Sequence, residues 1–545
     1  MATSILGIGQ SALAAAQAGL STTGHNIANA STAGYSRQVV IQGAATAQNF
    51  GFGFLGQGTQ VTSVQRVYSD FLGNQAQSAQ SSASSLDSYN TQISQIDNIL
   101  SDPSAGLAPA IQDFFNGVQT VATNPASIPA RQAALSSGDA LAARFNSLGG
   151  QLDEIAQGVN SQIASSVSAI NSYAIQLAQL NTAIGNAQRS SGQPPNDLLD
   201  QRDQLVLDLN KEVKATVVKQ GDGNYNVFIG NGQPLVVGSA TFKLSMAVSA
   251  TDPGKLGLAY QNANGSIVAL ADTSISGGTL GGLIDFRNTA LQSAQNSLGQ
   301  LAIGLAASFN SQHQAGFDLQ GVAGGAFFNV AAPVVGVNSN NTGNATIGAV
   351  ISNAGALTTS DYSLRYDGSN YTVTRLSDNS TTTFASFPQT IDGVTLNLAS
   401  GAAAAGDNFL IRPTANGASG IGVALTDPAK IAAAGATGAV GDNSNALALA
   451  ALQTSKTLGN GSASYADSYA QLVSQIGNKT REVQSTSAAA DSLLSQATTA
   501  QQNLSGVNLD EEAANLLRYQ QAYQAAGKVM QIASQLFDVL LSLGR

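Results

Sequence analysis

Apolar residues recur every seven positions at both ends of this chain, in segments that contain no proline. At the front Leu6, Leu13, Leu20 and Ile27 fall into step, and at the back Leu509, Leu516, Tyr523, Met530 and Phe537 do the same. A seven-residue repeat lines one side of a helix with a seam that a second helix has to cover. All twelve prolines lie between Pro103 and Pro428, so both flanks escape the ~3 kcal/mol that an interior proline costs a helix. Two such seams at opposite ends of 545 residues predict termini that meet and form a rod, an architecture for assembly rather than catalysis.

Further seams lie inside. Leu72, Ala79, Leu86, Ile93 and Leu100 form one, stopped by Ser101-Asp102-Pro103. Phe145, Leu148, Leu152, Ile155 and Val159 open another, which shifts register to Ile163, Val167, Ile170, Leu177 and Ile184, the mark of a stutter. After Pro194-Pro195, Asn196 or Asp197 is placed to cap a helix ending near Val213. Ile284, Leu291, Leu298 and Leu305 give a segment that returns to the rod, and Tyr469, Ile476, Val483, Ala490, Ala497 and Leu504 give the next to last helix. Asn508 stands at the N-cap of the last helix, with Glu511 where a capping box reaches back and Asp510, Glu511 and Glu512 where the helix dipole favours negative charge.

Between the helical stretches the period drops from seven to two. Hairpin signals stand at Gly221-Asp222-Gly223, Asn264-Gly265, Asp367-Gly368-Ser369-Asn370 and Asp392-Gly393. The fold class read from this is multi-domain α+β: a terminal α-helical coiled coil and a helical-bundle rod with inserted β-rich domains. Residues 1–60 and 505–545 make the two halves of the inner coiled coil, and 61–213, 279–325 and 443–504 the rod. The β-rich domains are 214–278 and an outer one, 326–442.

Composition narrows the function. Only 10% of residues are charged and the net charge is −10, with 22 Lys and Arg and no basic stripe, which argues against a nucleic-acid partner. Cysteine is absent, excluding disulfides and thiolate chemistry. No run approaches the ~20 apolar residues of a membrane span, so no membrane insertion is expected. Residues 1–36 carry no Asp, Glu, Lys or Arg, and without a positive n-region or a continuous apolar stretch they do not read as a cleaved signal peptide.

Chemical motifs are weak. Gly51-Phe52-Gly53-Phe54-Leu55-Gly56 spells GxGxxG, but Gln57-Gly58-Thr59-Gln60-Val61 follows where a dinucleotide site would open a helix; a glycine loop is the better reading. The two histidines, His25 and His313, are far apart and have no cysteine companions. Asp197, Asp200, Asp203 and Asp208 are dense enough to suggest a metal or a carboxylate pair. With Arg202 among them on a helix, local ion pairing or a solvated face accounts for them better. No catalytic residue, cofactor or metal is therefore assigned. A secreted adhesin using the β-rich modules is the alternative function, and a glycan hydrolase with two facing carboxylates a third.

Leu20 to Gln38, LSTTGHNIANASTAGYSRQ, closely resembles the N-terminal signature of bacterial flagellar axial proteins, approximately N-I-A-N-x-x-T-x-G-Y-x-R-Q. Ser505 to Leu541 resembles their closing motif. PNDLLDQRDQLV from Pro195 and GTLGGLIDFRNTALQSAQNSLGQLAIGLAASFNSQHQAGFDLQG from Gly278 narrow the likeness to the hook-associated proteins of the hook–filament junction. Ser31 and Ala33 depart from the family's frequent Asn and Pro, which touches a turn. The resemblance implies an adaptor that forms a ring of about eleven copies, meeting the hook protein on one side and a second junction protein on the filament side. It also implies type III export without signal cleavage to an extracellular place in the flagellum, and a chaperone near the C-terminal helix before export. It carries Asn26, Asn29, Gly34, Tyr35 and Arg37 over as the N-terminal motif, and Asn508, Leu509, Asp510, Glu511, Leu516, Tyr519, Tyr523 and Phe537 as the C-terminal one. Whether each contacts a neighbouring subunit or locks the two terminal helices together stays open.

Overall fold

The computed structural model describes residues 2–543 apart from 50, 103–105, 253 and 263; Pro103, part of the stop signal above, lies outside them. Helix α1 (Ala2–Ala28) leads into a ribbon of β1 (Gln38–Ala44) and β4 (Thr59–Arg66), tipped by the short hairpin β2 (Gln48–Asn49) and β3 (Phe54–Leu55). Gly51 and Gly53 of the GxGxxG stretch lie in the turn of that hairpin and Gly56 follows it, and no helix opens from it.

Four helices follow: α2 (Asp70–Ser101), α3 (Leu107–Thr123), α4 (Ile128–Ser191) and α5 (Asn196–Glu212). Ser69 caps α2 and Ser127 caps α4, whose proline sits in the first turn, where it is tolerated. Helix α4 starts well ahead of the Phe145 read from sequence, and its 64 residues span roughly 95 Å. The stutter lies inside one unbroken helix, with every residue of that seam from Phe145 to Ile184 buried. Helix α3, which the heptads did not reveal, buries Leu107, Ile111, Phe114, Phe115 and Val118.

Seven strands come next: β5 (Ala215–Lys219), β6 (Tyr225–Ile229), β7 (Gln233–Val237), β8 (Ala240–Thr241), β9 (Lys243–Val248), β10 (Leu256–Gln261) and β11 (Ile267–Leu270). They form antiparallel sheets ordered β5-β6-β7-β8 and β11-β10-β9. Val227, Ile229, Leu235, Leu244 and Leu258 join the same core as α4, so these sheets pack into the rod. The chain returns through α6 (Gly278–Phe286), a π-turn over Arg287–Leu291 and α7 (Gln292–Gln314), burying Ile284, Leu291, Leu298 and Leu305.

The outer β unit has β12 (Phe328–Asn329), β13 (Val334–Val337), β14 (Thr346–Ile351), β15 (Tyr362–Tyr366), β16 (Tyr371–Arg375), β17 (Thr381–Phe384), β18 (Gln389–Ile391), β19 (Val394–Ser400) and β20 (Asn408–Arg412). Its two main sheets, β13-β20-β15-β16-β17 and β14-β19-β18, enclose a separate core of Ile347, Leu364, Val373, Leu396, Phe409 and Ile411. The Asp392-Gly393 turn has positive φ at both residues, as a two-residue hairpin of this kind requires. After α8 (Gly417–Gly420) and β21 (Gly422–Val423), helices α9 (Ser444–Ala451), α10 (Tyr465–Ser505) and α11 (Leu509–Leu543) finish the chain. A Ser464–Asp467 capping box opens α10, whose Tyr469, Ile476, Val483, Ala490 and Ala497 are buried while Leu504 is exposed.

Candidate assembly interface

Three segments distant in sequence converge where the terminal helices leave the rod. Helix α1 ends by bonding its own reversal. Asn26, fully buried, donates from Nδ2 to Gln38 O at 2.9 Å, while its Oδ1 accepts from Gln38 N at 3.0 Å and from the Tyr35 hydroxyl at 2.7 Å. Asn29 turns back to His25 O. Gly34, at φ 77°, lies against the Gln204 side chain of α5, where a β-carbon would stand 2.7 Å from Oε1. That conformation and that space both select glycine.

The reversal is bolted to α5. Ser36 N donates to Asp200 Oδ2 at 2.9 Å, and Arg66 NH1, from the end of β4, reaches Asp200 at 2.8 Å and Asp203 at 2.7 Å. Gln38 Nε2 donates to Asp197 Oδ1 at 2.7 Å and Asn196 Nδ2 to Val64 O at 2.9 Å. Asn196 and Asp197 therefore do not cap α5; Pro195 takes that position without a side-chain bond, and both side chains face α1 and the ribbon instead. The aspartates pair with the distant Arg66 and not with Arg202, whose guanidinium lies 3.4 Å from the Tyr225 ring centroid. Arg66 occupies the space between Asp200 and Asp203, so they are not a catalytic carboxylate pair. Burial pushes the Asp200 carboxyl up, against the Ser36 amide and Arg66, which pull it down. Burial also raises the Tyr35 phenol, helped by Asp197, Asp200 and Glu512.

Arg37 ties the third segment in. Its Nε meets Glu512 and its NH1 meets Glu511, both at 2.8 Å, and its own amide donates to Ser505 O at 2.7 Å. Glu512 is 1% exposed. Glu511 thus turns to Arg37 and does not reach back as a capping box. Asn508 does cap α11, accepting from the Asp510 and Glu511 amides at 3.0 and 3.3 Å. The joint leaves a cleft of about 1060 Å³ between residues 30–37, α5 and the start of α11.

From this joint α1 and α11 run side by side, antiparallel, with Gly19 against Tyr519 and Gly9 against Met530. Their buried seam is not the large-residue heptad, which enters it only at Met530. On α1 it consists of Gly9, Ala16, Gly19, Thr23 and Asn26, and on α11 of Glu512, Ala526 and Ala533 with Tyr519 and Met530 half-buried. Leu6 and Ile27 are exposed, and so are Leu509, Leu516, Tyr523 and Phe537; Leu13 and Leu20 are half-buried. At about 100° per residue, the Leu6, Leu13, Leu20 and Leu509, Leu516, Tyr523 rows stand roughly a quarter turn from the seam. Because the helices are antiparallel, both rows fall on the same side of the pair and form one apolar face. The small-residue seam and Arg66 are absent from the sequence-based expectations, and Glu512, read there only as an acid facing the helix dipole, is the buried partner of Arg37. The signal was there: Gly9, Ala16 and Thr23 are seven apart, as are Glu512, Tyr519, Ala526 and Ala533.

Among the described residues no group of three or more His, Cys, Asp or Glu is placed to hold a metal ion, and no helix is long and apolar enough to cross a membrane.

Four family models match the chain. The flagellar hook-associated protein FlgK helical domain covers residues 93–328 and the flagellar hook-associated protein 1 D2-like domain residues 337–413. The flagella basal body rod protein model covers 6–35 and the flagellar basal body rod FlgEFG protein C-terminal model 500–543, the two terminal helices. Flagellar hook-associated protein 1 of Escherichia coli is 40% identical over 99% of this chain and 100% of its own length; that of Bacillus subtilis is 26% identical over 97% and 96%. The solved hook junction protein FlgK of Burkholderia pseudomallei superposes with a TM-score of 0.75 at 33% identity, over 79% of this chain and all of its own. Nothing in these comparisons supports the adhesin reading.

Proposed function

This chain belongs to the flagellar hook-associated protein 1 family, and from that premise we propose that its copies close into a ring of about eleven between hook and filament. It is a structural protein of the flagellar axis, and its neighbours there are hook and junction proteins. In this reading the chain leaves the cell unfolded through the type III apparatus without signal cleavage, after a chaperone has held its C-terminal region, and folds outside at the tip of the hook. The apolar face shared by α1 and α11 then meets other copies, the hook protein below and the second junction protein above.

One observation supports the reading most. The terminal helices hold each other through small residues, which leaves the large heptad residues Leu6, Leu13, Leu20, Leu509, Leu516 and Tyr523 uncovered or half-covered. Burying each of these contributes roughly 1.5–3 kcal/mol, a large sum to leave facing water in a protein meant to act alone. Arg37, Asn26, Gly34, Tyr35, Asn508 and Glu511 have the other role: they set the direction in which that face leaves the rod.

The test is a chain lacking Leu509 to Arg545, supplied to cells whose own copy is deleted. Export or incorporation should fail while the purified fragment still unfolds cooperatively. Normal motility with filaments retained would overturn the mechanism.

A further inference from the structure

The chain leaves the rod for the outer β unit after α7 and comes back through residues 424–443, and the two crossings are laced together. Phe317 N donates to Ala434 O at 2.8 Å, Ala434 N returns a bond to Phe317 O at 3.1 Å, and Leu319 N donates to Ala429 O at 3.1 Å. Beneath the lacing, in the last turn of α7, lies His313 with no exposed surface. Its Nε2 accepts from Ala432 N at 2.9 Å, so its proton is on Nδ1, which donates to Gly325 O at 2.8 Å. Two opposed main-chain bonds thus hold the imidazole neutral in one tautomer.

Arg131, near the start of α4, meets the same peptide group from its other end. Its NH1 donates to Ile431 O and its Nε to Pro125 O. The side chain is 1% exposed, and among the described residues no carboxylate lies within ion-pair distance of it. The Ile431–Ala432 peptide is therefore gripped at its oxygen by a guanidinium and at its N–H by an imidazole. Asn445 of α9 adds a bond from Nδ2 to Ala432 O at 2.6 Å. The rings of Phe309 and Phe327 close over His313, with Phe114 of α3 packed on both. The charges that act on His313 are Arg131 from α4 and Asp318 from the loop after α7; Asp427 and Lys430 on the returning segment are exposed.

We propose that this arrangement is an acid-sensitive clasp: a proton on His313 turns Nε2 from acceptor into donor, sets it against the Ala432 N–H beside Arg131, and opens residues 428–434 from the rod. Burial holds the His313 imidazole below its usual value, and Arg131 adds to that against the Gly325 bond and Asp318. A histidine depressed in the folded state contributes stability that is whole above the unfolded value of about 6.5 and is lost as pH falls through the lower folded value. The clasp is closed in neutral surroundings and opens on acidification.

Hydrogen exchange on the full-length protein at about pH 7.5 and about pH 5 tests this. After correction for intrinsic rates, protection of 428–434 should fall at least roughly tenfold in acid, with β15 and β20 unchanged as internal reference. His313→Gln, which keeps a donor and an acceptor but does not titrate, should stay protected at both. Equal protection of the unaltered protein at the two pH values, or the same fall in His313→Gln, overturns the proposal. Should that variant not fold, the two imidazole proton signals of the unaltered chain, assigned with His25→Gln, give a second measure. His313 titrating while 428–434 stays protected overturns the clasp; coincident titration and opening supports it.

Discussion

The ring of Tyr519 lies where a side chain at Gly19 would be: a β-carbon there would stand 2.4 Å from Tyr519 Cδ1. An added methyl at that crossing has to push the helices apart, an overpacking that costs ~1–3 kcal/mol. Gly19→Ala should therefore loosen α11 from α1, seen as faster proteolysis of the C-terminal helix and as filaments shed into the medium. Tyr519→Leu combined with Gly19→Ala should recover part of the loss, because the conflict is with the ring. If Gly19→Ala leaves both readouts unchanged, the close packing seen here is not what joins the ends.

Arg37 neutralises Glu511 and the buried Glu512 together. Removing one partner of a buried pair strands the other charge, at ~3–5 kcal/mol. Arg37→Ala should lower the unfolding midpoint of the terminal pair and abolish swarming, whereas the Arg37→Ala, Glu512→Gln double variant should be less impaired than Arg37→Ala alone. Arg37→Lys should fall between, because an ammonium cannot present the fork that serves two carboxylates. Thermal melts of the four proteins check the order.

Helices and hairpins could be read from the chain because their signals are local. An apolar residue at every seventh position marks α1, α10 and α11, and Asp392-Gly393 marks its hairpin through the positive φ both residues adopt. The side of α1 that meets α11 could not be read by hydropathy, since Gly9, Ala16 and Thr23 carry little of it; close approach selects them for size. Arg66 was illegible for another reason. Its partners Asp200 and Asp203 lie more than a hundred residues away in the chain, while Arg202 stood beside them in sequence and turned to Tyr225. Helix α3 escaped although Leu107, Phe114 and Val121 do stand seven apart, because a row of three in 17 residues is short beside the longer seams; Phe114 and Phe115 are buried side by side.

Residues of the large heptads should behave unlike those of the seam. Leu13→Asp and Leu516→Asp place charge on the shared apolar face and leave the Gly19–Tyr519 crossing untouched. The isolated chain should show unchanged helicity, and protease should trim both ends and spare the middle, since uncovered seams keep the ends marginal. Incorporation at the junction should be lost. A full-length monomer resistant to protease would count against the idea that these ends wait for neighbours.

The outer β unit keeps its own core, so damage there should stay there. Leu364 has no exposed surface and packs with Val373, Phe409 and Ile411. Leu364→Ala leaves a cavity worth ~2–5 kcal/mol. Because β5 to β11 share the rod's core whereas the core of β13 to β20 takes in only Ile303 from the rod, calorimetry should show a lowered transition for the outer unit and a nearly unmoved one for the rod. Among the described residues the α1–α11 pair and its joint at Arg37 share no hydrogen bond or ion pair with β13 to β20. Cells carrying Leu364→Ala should accordingly keep their filaments, provided the chain is exported at normal levels by immunoblot. Filament loss in that variant would mean that the outer sheets also carry contacts between subunits, and the terminal helices would no longer account for assembly by themselves.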